Sequence, residues 1–342
     1  MTPQIAELLA GRITEINYPD LLVQYPWIIK QNQNCILSPD SDGMLCGLFM
    51  SQYFDWKVVG YYDGKVLLLK QGISTHDEDC IFLDMEIYRS HVKSVGHHMV
   101  LHNKRHTPNT WSNFSNCLQP NNFRSYDGNT DFRLKYPLAT IHFLLGIVGV
   151  QRPIEIPVSA IAPLFFTDGT FNVLYSYPEN VLNWLHYLGI ENYDSPLRSI
   201  FMHEHFTVYE QMKVMNDFFR KRDALNQPGE RGDKFAISTS GGEFRNVISQ
   251  THGSVKVTDA AQLKVKGFLK LLQDTTCWEF KEHSWAFEDL KQYKFRKGSF
   301  EGRGWTVTNR DFAKLMELNP LSWAMTSGQN IEFTLEEPDT LP

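Results

Sequence analysis

At 342 residues, with 42% hydrophobic and 13% aromatic content, the chain can form two domains and bury a sizeable core. A net charge of −6 excludes a globally basic nucleic-acid binder, so nucleic acid would have to be held by a local basic groove or through bound metal. The five cysteines lack Cys-x-x-Cys spacing, which argues against a zinc or disulfide framework and for reduced, mostly buried thiols of a cytoplasmic protein.

Glu7, Arg12 and Glu15 interrupt any basic-then-apolar leader pattern. The longest apolar run, 141–150, contains His142 and is too short to span a bilayer, so no membrane partner is expected. Apolar runs at 36–37, 57–60, 66–69 and 81–83 have strand length and turn-like borders. Between them, 44–54 reads as a helix and Tyr62-Asp63-Gly64 as a hairpin turn. Further helices are predicted at 137–150, 178–189, 195–222 and 259–273, and 235–237 reads as a strand. The fold class is α/β, a mostly parallel sheet with helices on both faces, followed by a smaller C-terminal α+β domain. The expected division is 1–225, a polar linker at 226–233, and 234–342, ending in a solvated tail over 336–342.

The chemistry concentrates where apolar runs deliver acids. Ser38-Pro39-Asp40-Ser41-Asp42-Gly43 follows Cys35-Ile36-Leu37 and precedes an apolar helix. Two aspartates there can point into one cleft, where hard divalent cations take oxygen ligands. By themselves Asp40 and Asp42 are explained by an N-capping turn. The ligand reading gains from Cys80-Ile81-Phe82-Leu83-Asp84, from Gly96-His97-His98 and from an apolar run ending in Thr167-Asp168-Gly169. An acid at the carboxyl end of a strand lies where open α/β sheets place their ligands. Adjacent histidines on a strand point to opposite faces, which favours His97 as the ligand. His91, His102 and His106 read as surface or loop residues, and His203-Glu204-His205 as part of a helix with diverging side chains. Phe165 and Phe166 read as core.

In this order the segments resemble the DHH phosphoesterase superfamily, particularly its RecJ-like single-strand exonuclease branch, over roughly the first half of the chain. Asn116-Cys117-Leu118-Gln119-Pro120-Asn121, Tyr136-Pro137-Leu138-Ala139 and Gly146-Ile147-Val148-Gly149 are similar to the family stretch between the histidines and the last acid. The resemblance implies Asp42, Asp84, His97 and Asp168 as ligands of one metal site, with Asp84 bridging to a second, Asp40 assisting there and His98 on the substrate phosphate. Carboxylates with one imidazole suit Mn²⁺, then Mg²⁺, as one or two ions. Ile36 stands where many members carry a histidine, and Gly96 where the signature aspartate stands, which places the second ion and the orientation of the histidines in question.

Ser238-Thr239-Ser240-Gly241-Gly242 with Arg245 is the nearest match to the family's glycine-rich substrate grip, although a plain hairpin explains it too. Tyr293-Lys294-Phe295-Arg296-Lys297, with Arg303 and Trp305, interleaves cations and aromatics as a single-strand platform or as an amphipathic edge strand. Lys264, Lys266 and Lys270 decorate an exposed helix face. The implied function is metal-dependent phosphodiester hydrolysis on single-stranded nucleic acid, as a 5′–3′ DNA exonuclease. The alternatives are a phosphodiesterase for short oligonucleotides or cyclic dinucleotides, and a decayed DHH-fold scaffold for a protein partner.

Overall fold

The computed structural model describes residues 15–203, 207–225, 233–301, 307–327 and 330–342. Among the described residues, nine strands form one mixed sheet: β1 (Asn34–Leu37), β2 (Lys57–Tyr62), β3 (Val66–Lys70), β4 (Cys80–Leu83), β5 (Lys93–Val95), β6 (Cys117–Leu118), β7 (Val247–Ser249), β8 (Val255–Val257) and β9 (Leu290–Lys294). Their order is β6-β5-β4-β1-β2-β3-β9-β8-β7. The half from β6 to β2 is parallel, and the pairings from β2 onward to β7 are antiparallel. β2 lies on one side of β1 and β4 on the other, so the chain reverses its direction of travel between β1 and β4. A crevice at the carboxyl ends of the strands belongs at such a point.

Side chains alternate across the sheet, so Cys35, Leu37, Ile81 and Leu83 enter one core and Ile36, Cys80 and Phe82 the other. Burial on both faces is why these central strands read as unbroken apolar runs. Over the first face pack α2 (Ser41–Phe54), α4 (Thr140–Gly149) and α10 (Asp259–Thr276); α1 (Tyr18–Gln24) and the four-residue α3 (Pro120–Phe123) are also among the described helices. The opposite core is smaller and is closed by loop residues including Ile87, Val92, Phe295, Leu321 and Leu341. A separate antiparallel sheet follows, β10 (Arg296–Glu301), β12 (Asn330–Leu335) and β11 (Ser322–Ser327), with α11 (Asn309–Glu317) between β10 and β11. Four cysteines are buried and Cys277 is exposed.

Several details depart from the sequence reading. The apolar run before Asp168 is helical, α5 (Ile161–Phe166), with Pro163 in its first turn where proline is tolerated. A short apolar run does not by itself separate strand from buried helix. After α6 (Thr170–Ser176) and α7 (Pro178–Tyr187), the predicted long helix is two: α8 (Pro196–Phe201) and α9 (Val208–Asp223). Thr207 starts the second by accepting the Glu210 N–H at 3.2 Å. Glu204 and His205 lie outside the described residues, as do Arg303, Trp305 and most of the 226–233 linker.

Phe235 and Ile237 are buried without forming a strand; the Phe235 N–H instead donates to the Pro39 carbonyl at 2.8 Å. Beyond 234 the chain forms its own small sheet, β10-β12-β11, but also extends the large one, because β9 pairs with β3 and brings β8 and β7 with it. The tail is docked: the Pro342 carbonyl accepts from Thr75 N at 2.8 Å and Thr75 Oγ1 at 2.6 Å, and Leu341 is buried. His102 is buried too, against Phe312. No helix among the described residues is long and apolar enough to cross a membrane.

Candidate metal centre

β1 and β4 run in register, Leu37 beside Leu83, and the Ser38 N–H donates to the Leu83 carbonyl at 3.1 Å. Both chains therefore leave the sheet at one level. Asp40 caps α2, accepting the Gly43 N–H at 3.2 Å. Gly43 is required by close approach, since a Cβ there would lie 2.0 Å from the Ser38 carbonyl oxygen. This packing turns Asp42, in the first turn of α2, inward. Asp84 immediately follows β4 at φ 62°, a left-handed conformation that aspartate tolerates better than most residues. Asp168, at φ 49°, sits in a kink between α5 and α6 that the Ser41–Thr167 hydroxyl contact at 3.1 Å ties to α2.

Asp42, Asp84, His97 and Asp168 thus converge, each offering a ligand atom within 4.8 Å of the others. His97 Nε2 is 3.4 Å from Asp168 Oδ2, while its Nδ1 is 3.5 Å from Asp84 Oδ1. The N-terminus of α4 organises the group. Backbone N–H groups of Thr140 and Ile141 donate to the two Asp42 oxygens at 2.7 and 3.0 Å. The Thr140 hydroxyl donates to Asp84 Oδ1 at 2.8 Å and accepts from His97 Nδ1 at 2.7 Å. That hydroxyl has one proton, so giving it to Asp84 requires Nδ1 of His97 to be the protonated nitrogen. Nε2 is left as a lone-pair donor toward Asp168.

Asp42 and Asp84 are buried, and Asp168 is the most open acid of the group, its side chain 36% exposed. Burial, then the charges of Asp84 and Asp168, pushes Asp42 well above the usual carboxylate range. Asp84 is raised the same way, by burial and then by Asp40 and Asp168. Burial, helped by His98, lowers His97, which keeps its imidazole neutral and able to bind a cation. A divalent cation fits this set: three crowded carboxylates, with one neutral imidazole whose tautomer is fixed, form an oxygen-rich site that could hold a metal ion.

The histidines do not point to opposite faces. They lie just past the end of β5, where strand alternation no longer applies, and their rings stack at 4.5 Å with a 25° tilt. Glu86, which the sequence reading passed over, accepts the His98 backbone N–H at 2.6 Å and faces His98 Nδ1 at 3.1 Å. Burial would lower His98, but the Glu86 charge and hydrogen bond, with Asp84 and Asp168 adding, outweigh it and lift His98 to about 10. Gln119 and Asn121 also went unassigned: their side-chain amides donate to the His98 and His97 carbonyls, and Asn121 accepts the Tyr136 N–H at 2.8 Å.

His97, His98 and Asp168 open onto a cavity of about 790 Å³ whose wall includes Phe132, Tyr136, Tyr177, Arg133 and Lys135. Lys135 is half-buried over the Phe132 ring at 4.7 Å, and burial pushes its ammonium down. Neither Lys135 nor Arg133 has an acidic partner among the described residues.

The structure places the remaining predicted site residues outside this group. Asp40 stands outside the four-residue group; its carboxylate serves the α2 cap, and burial and the Asp168 charge raise it. Gly241, Gly242, Arg245 and Arg296 do not line the cavity. Gly242 is a turn residue at φ 81° beside Lys65. The expected platform is neutralised, with Lys294 paired to Glu243 at 2.5 Å, Arg296 to Glu337 at 2.7 Å and Lys297 to Glu332 at 2.5 Å, and Phe295 is buried. Ile36 lies in the opposite core. Comparison of the chain with family models, with curated proteins and with solved structures finds no match.

Proposed function

We propose that the protein is a divalent-metal-dependent phosphodiester hydrolase acting on single-stranded nucleic acid, in the manner of the DHH phosphoesterases its motifs resemble. The observation that carries this reading is the convergence of Asp42, Asp84, His97 and Asp168, from four separate segments, at the carboxyl ends of β1 and β4. Mn²⁺ or Mg²⁺ held there would supply Lewis acidity and offset negative charge on the reacting phosphate. His98, fixed by Glu86 and partly open to the cavity, would donate to a phosphoryl oxygen. Lys135 and Arg133 would hold a further anionic group, and Phe132 and Tyr177 offer faces for a base.

Within this reading the ion-paired state of Lys294, Arg296 and Lys297 favours short oligonucleotides or dinucleotides over long strands, because a strand-tracking groove needs uncompensated cations. The test is Mn²⁺-dependent cleavage of 5′-labelled single-stranded DNA and RNA, from dinucleotides to long strands, by wild type and Asp84→Ala. Metal-dependent cleavage that is lost in the variant supports the reading, and preference for the shortest substrates supports its narrower form. No cleavage of any length by a wild type that binds Mn²⁺ would refute hydrolysis and favour the scaffold.

A further inference from the structure

Glu86 is buried at 2% exposure in the turn after β4, two residues beyond Asp84. Its only cationic partner among the described residues is His98, toward which both carboxylate oxygens are directed. The segment carrying the histidines leaves room for it at one position. A Cβ on Gly96 would lie 2.6 Å from Glu86 Cδ and 2.7 and 2.9 Å from its oxygens. The Gly96 backbone is outside the left-handed region, so occupied space, and not conformation, excludes a side chain there. Glycine at 96 and glutamate at 86 are thus two halves of one arrangement.

The consequence passes to the cluster. Glu86 holds the main chain and the Nδ1 edge of His98, and the His98 ring stacks on His97. His97 is held from its other side by Thr140. Removal of Glu86 frees one of the two constraints on the imidazole that faces Asp168.

We propose that Glu86 is the positioning residue of the metal centre, filling the space beside Gly96 to set the His98 ring and, through the ring stack, the His97 ligand. The proposal rests on the metal-centre reading. A carboxylate supplied from position 96 would do the same work only if Glu86 were absent, so the two positions should show reciprocal rescue.

The experiment compares wild type, Glu86→Gln, Glu86→Ala, Gly96→Asp and the Glu86→Ala/Gly96→Asp double variant. Each is crystallised metal-free to locate the His98 ring and titrated calorimetrically with Mn²⁺. Glu86→Ala should release the His98 ring and weaken Mn²⁺ binding about 10–100-fold, the usual effect of losing a carboxylate that orients a ligand histidine. Gly96→Asp alone should be impaired by the clash, and the double variant should regain both ring position and affinity relative to either single. Should Glu86→Ala not fold, Glu86→Gln, nearly isosteric and still able to accept the His98 N–H, should retain its melting temperature and lose Mn²⁺ affinity. An unmoved ring in Glu86→Ala, unchanged Mn²⁺ affinity in Glu86→Gln, or a double variant no better than the worse single, overturns the proposal. A wild type without Mn²⁺ affinity would overturn the metal-centre reading instead, and the ring positions and double-variant recovery would still decide Glu86.

Discussion

Thr140 offers the sharpest test of the cluster, because one hydroxyl bridges two proposed ligands. Its side chain is fully buried, donates to Asp84 at 2.8 Å and accepts from His97 Nδ1 at 2.7 Å. Thr140→Val keeps the branched shape and the backbone N–H that donates to Asp42 at 2.7 Å, and removes only the hydroxyl. The hydrogen bond to an ionised Asp84 would be worth about 1.5–3 kcal/mol, and a buried His97 N–H left without an acceptor costs about 1–3 kcal/mol. The two overlap in one network, and Asp84 is itself pushed toward its neutral form, so the expected loss is about 2–4 kcal/mol. Nδ1 would no longer be fixed as the protonated nitrogen, and Mn²⁺ affinity should fall about 10–100-fold. Thr140→Ser keeps both hydrogen bonds and should recover most of the loss. Urea denaturation after chelation measures the first quantity and Mn²⁺ calorimetry the second. A Thr140→Val protein within about 0.5 kcal/mol of wild type, with unchanged Mn²⁺ affinity, would refute the bridging role.

Three further outcomes follow from the same geometry. Asp42 and Asp84 are raised by burial and neighbouring charge, so the folded metal-free protein retains protons that the unfolded chain has lost. Their contribution to stability is present at low pH and lost as pH rises through the raised values. Mn²⁺ should displace those protons and bind about tenfold more tightly per pH unit for each one released; calorimetry in buffers of different ionisation enthalpy checks this, and zero net release contradicts it. Asp40→Ala should cost about 1 kcal/mol as a lost cap, while Asp40→Ser should preserve both stability and Mn²⁺ affinity. Weaker Mn²⁺ binding in Asp40→Ser, read by the same titration, would make Asp40 a ligand after all. Burial pushes His142 down to about 4, and its Nδ1 accepts the Ala139 N–H at 3.2 Å. Its folded value lies below the unfolded one, so stability is full at neutral pH and declines as pH falls from about 6.5 toward 4, by about 2 kcal/mol at pH 5. His142→Asn should remove that decline in denaturation curves at pH 7 and 5.

What was legible in the sequence was what depends on neighbours along the chain. The strand ends before Asp40 and Asp84 read correctly because central strands buried on both faces are continuously apolar and stop at turn residues. The cap at Asp40 was legible, but α2 begins at Ser41, ahead of the expected 44–54 helix, because Gly43 lets the first turn pack closely against Ser38. Thr140 and Glu86 were illegible for the converse reason. A threonine at a helix start and a glutamate in a turn are ordinary in sequence, and their roles come from partners 56 and 12 positions away. The cationic run at 294–297 misled because its neutralising acids, Glu243, Glu332 and Glu337, come from remote segments.

The same logic explains why the metal-free cluster holds together and why a cation should still bind. The α4 N-terminus presents two backbone N–H groups and a hydroxyl to Asp42 and Asp84. A helix N-terminus carries only about half a positive charge, against as many as three carboxylates here. The shortfall shows in Asp42 and Asp84, where desolvation, and then neighbouring carboxylates including Asp168, prevail over those donors and hold both well above the ordinary carboxylate range. Both Asp42 oxygens already accept from α4, whereas Asp84 Oδ2, the Asp168 carboxylate and His97 Nε2 are freer to turn to a cation. Besides offering a ligand atom, Asp42 ties the cluster to α4, so Asp42→Ala should lower the urea midpoint of the metal-free protein more than Asp168→Ala does.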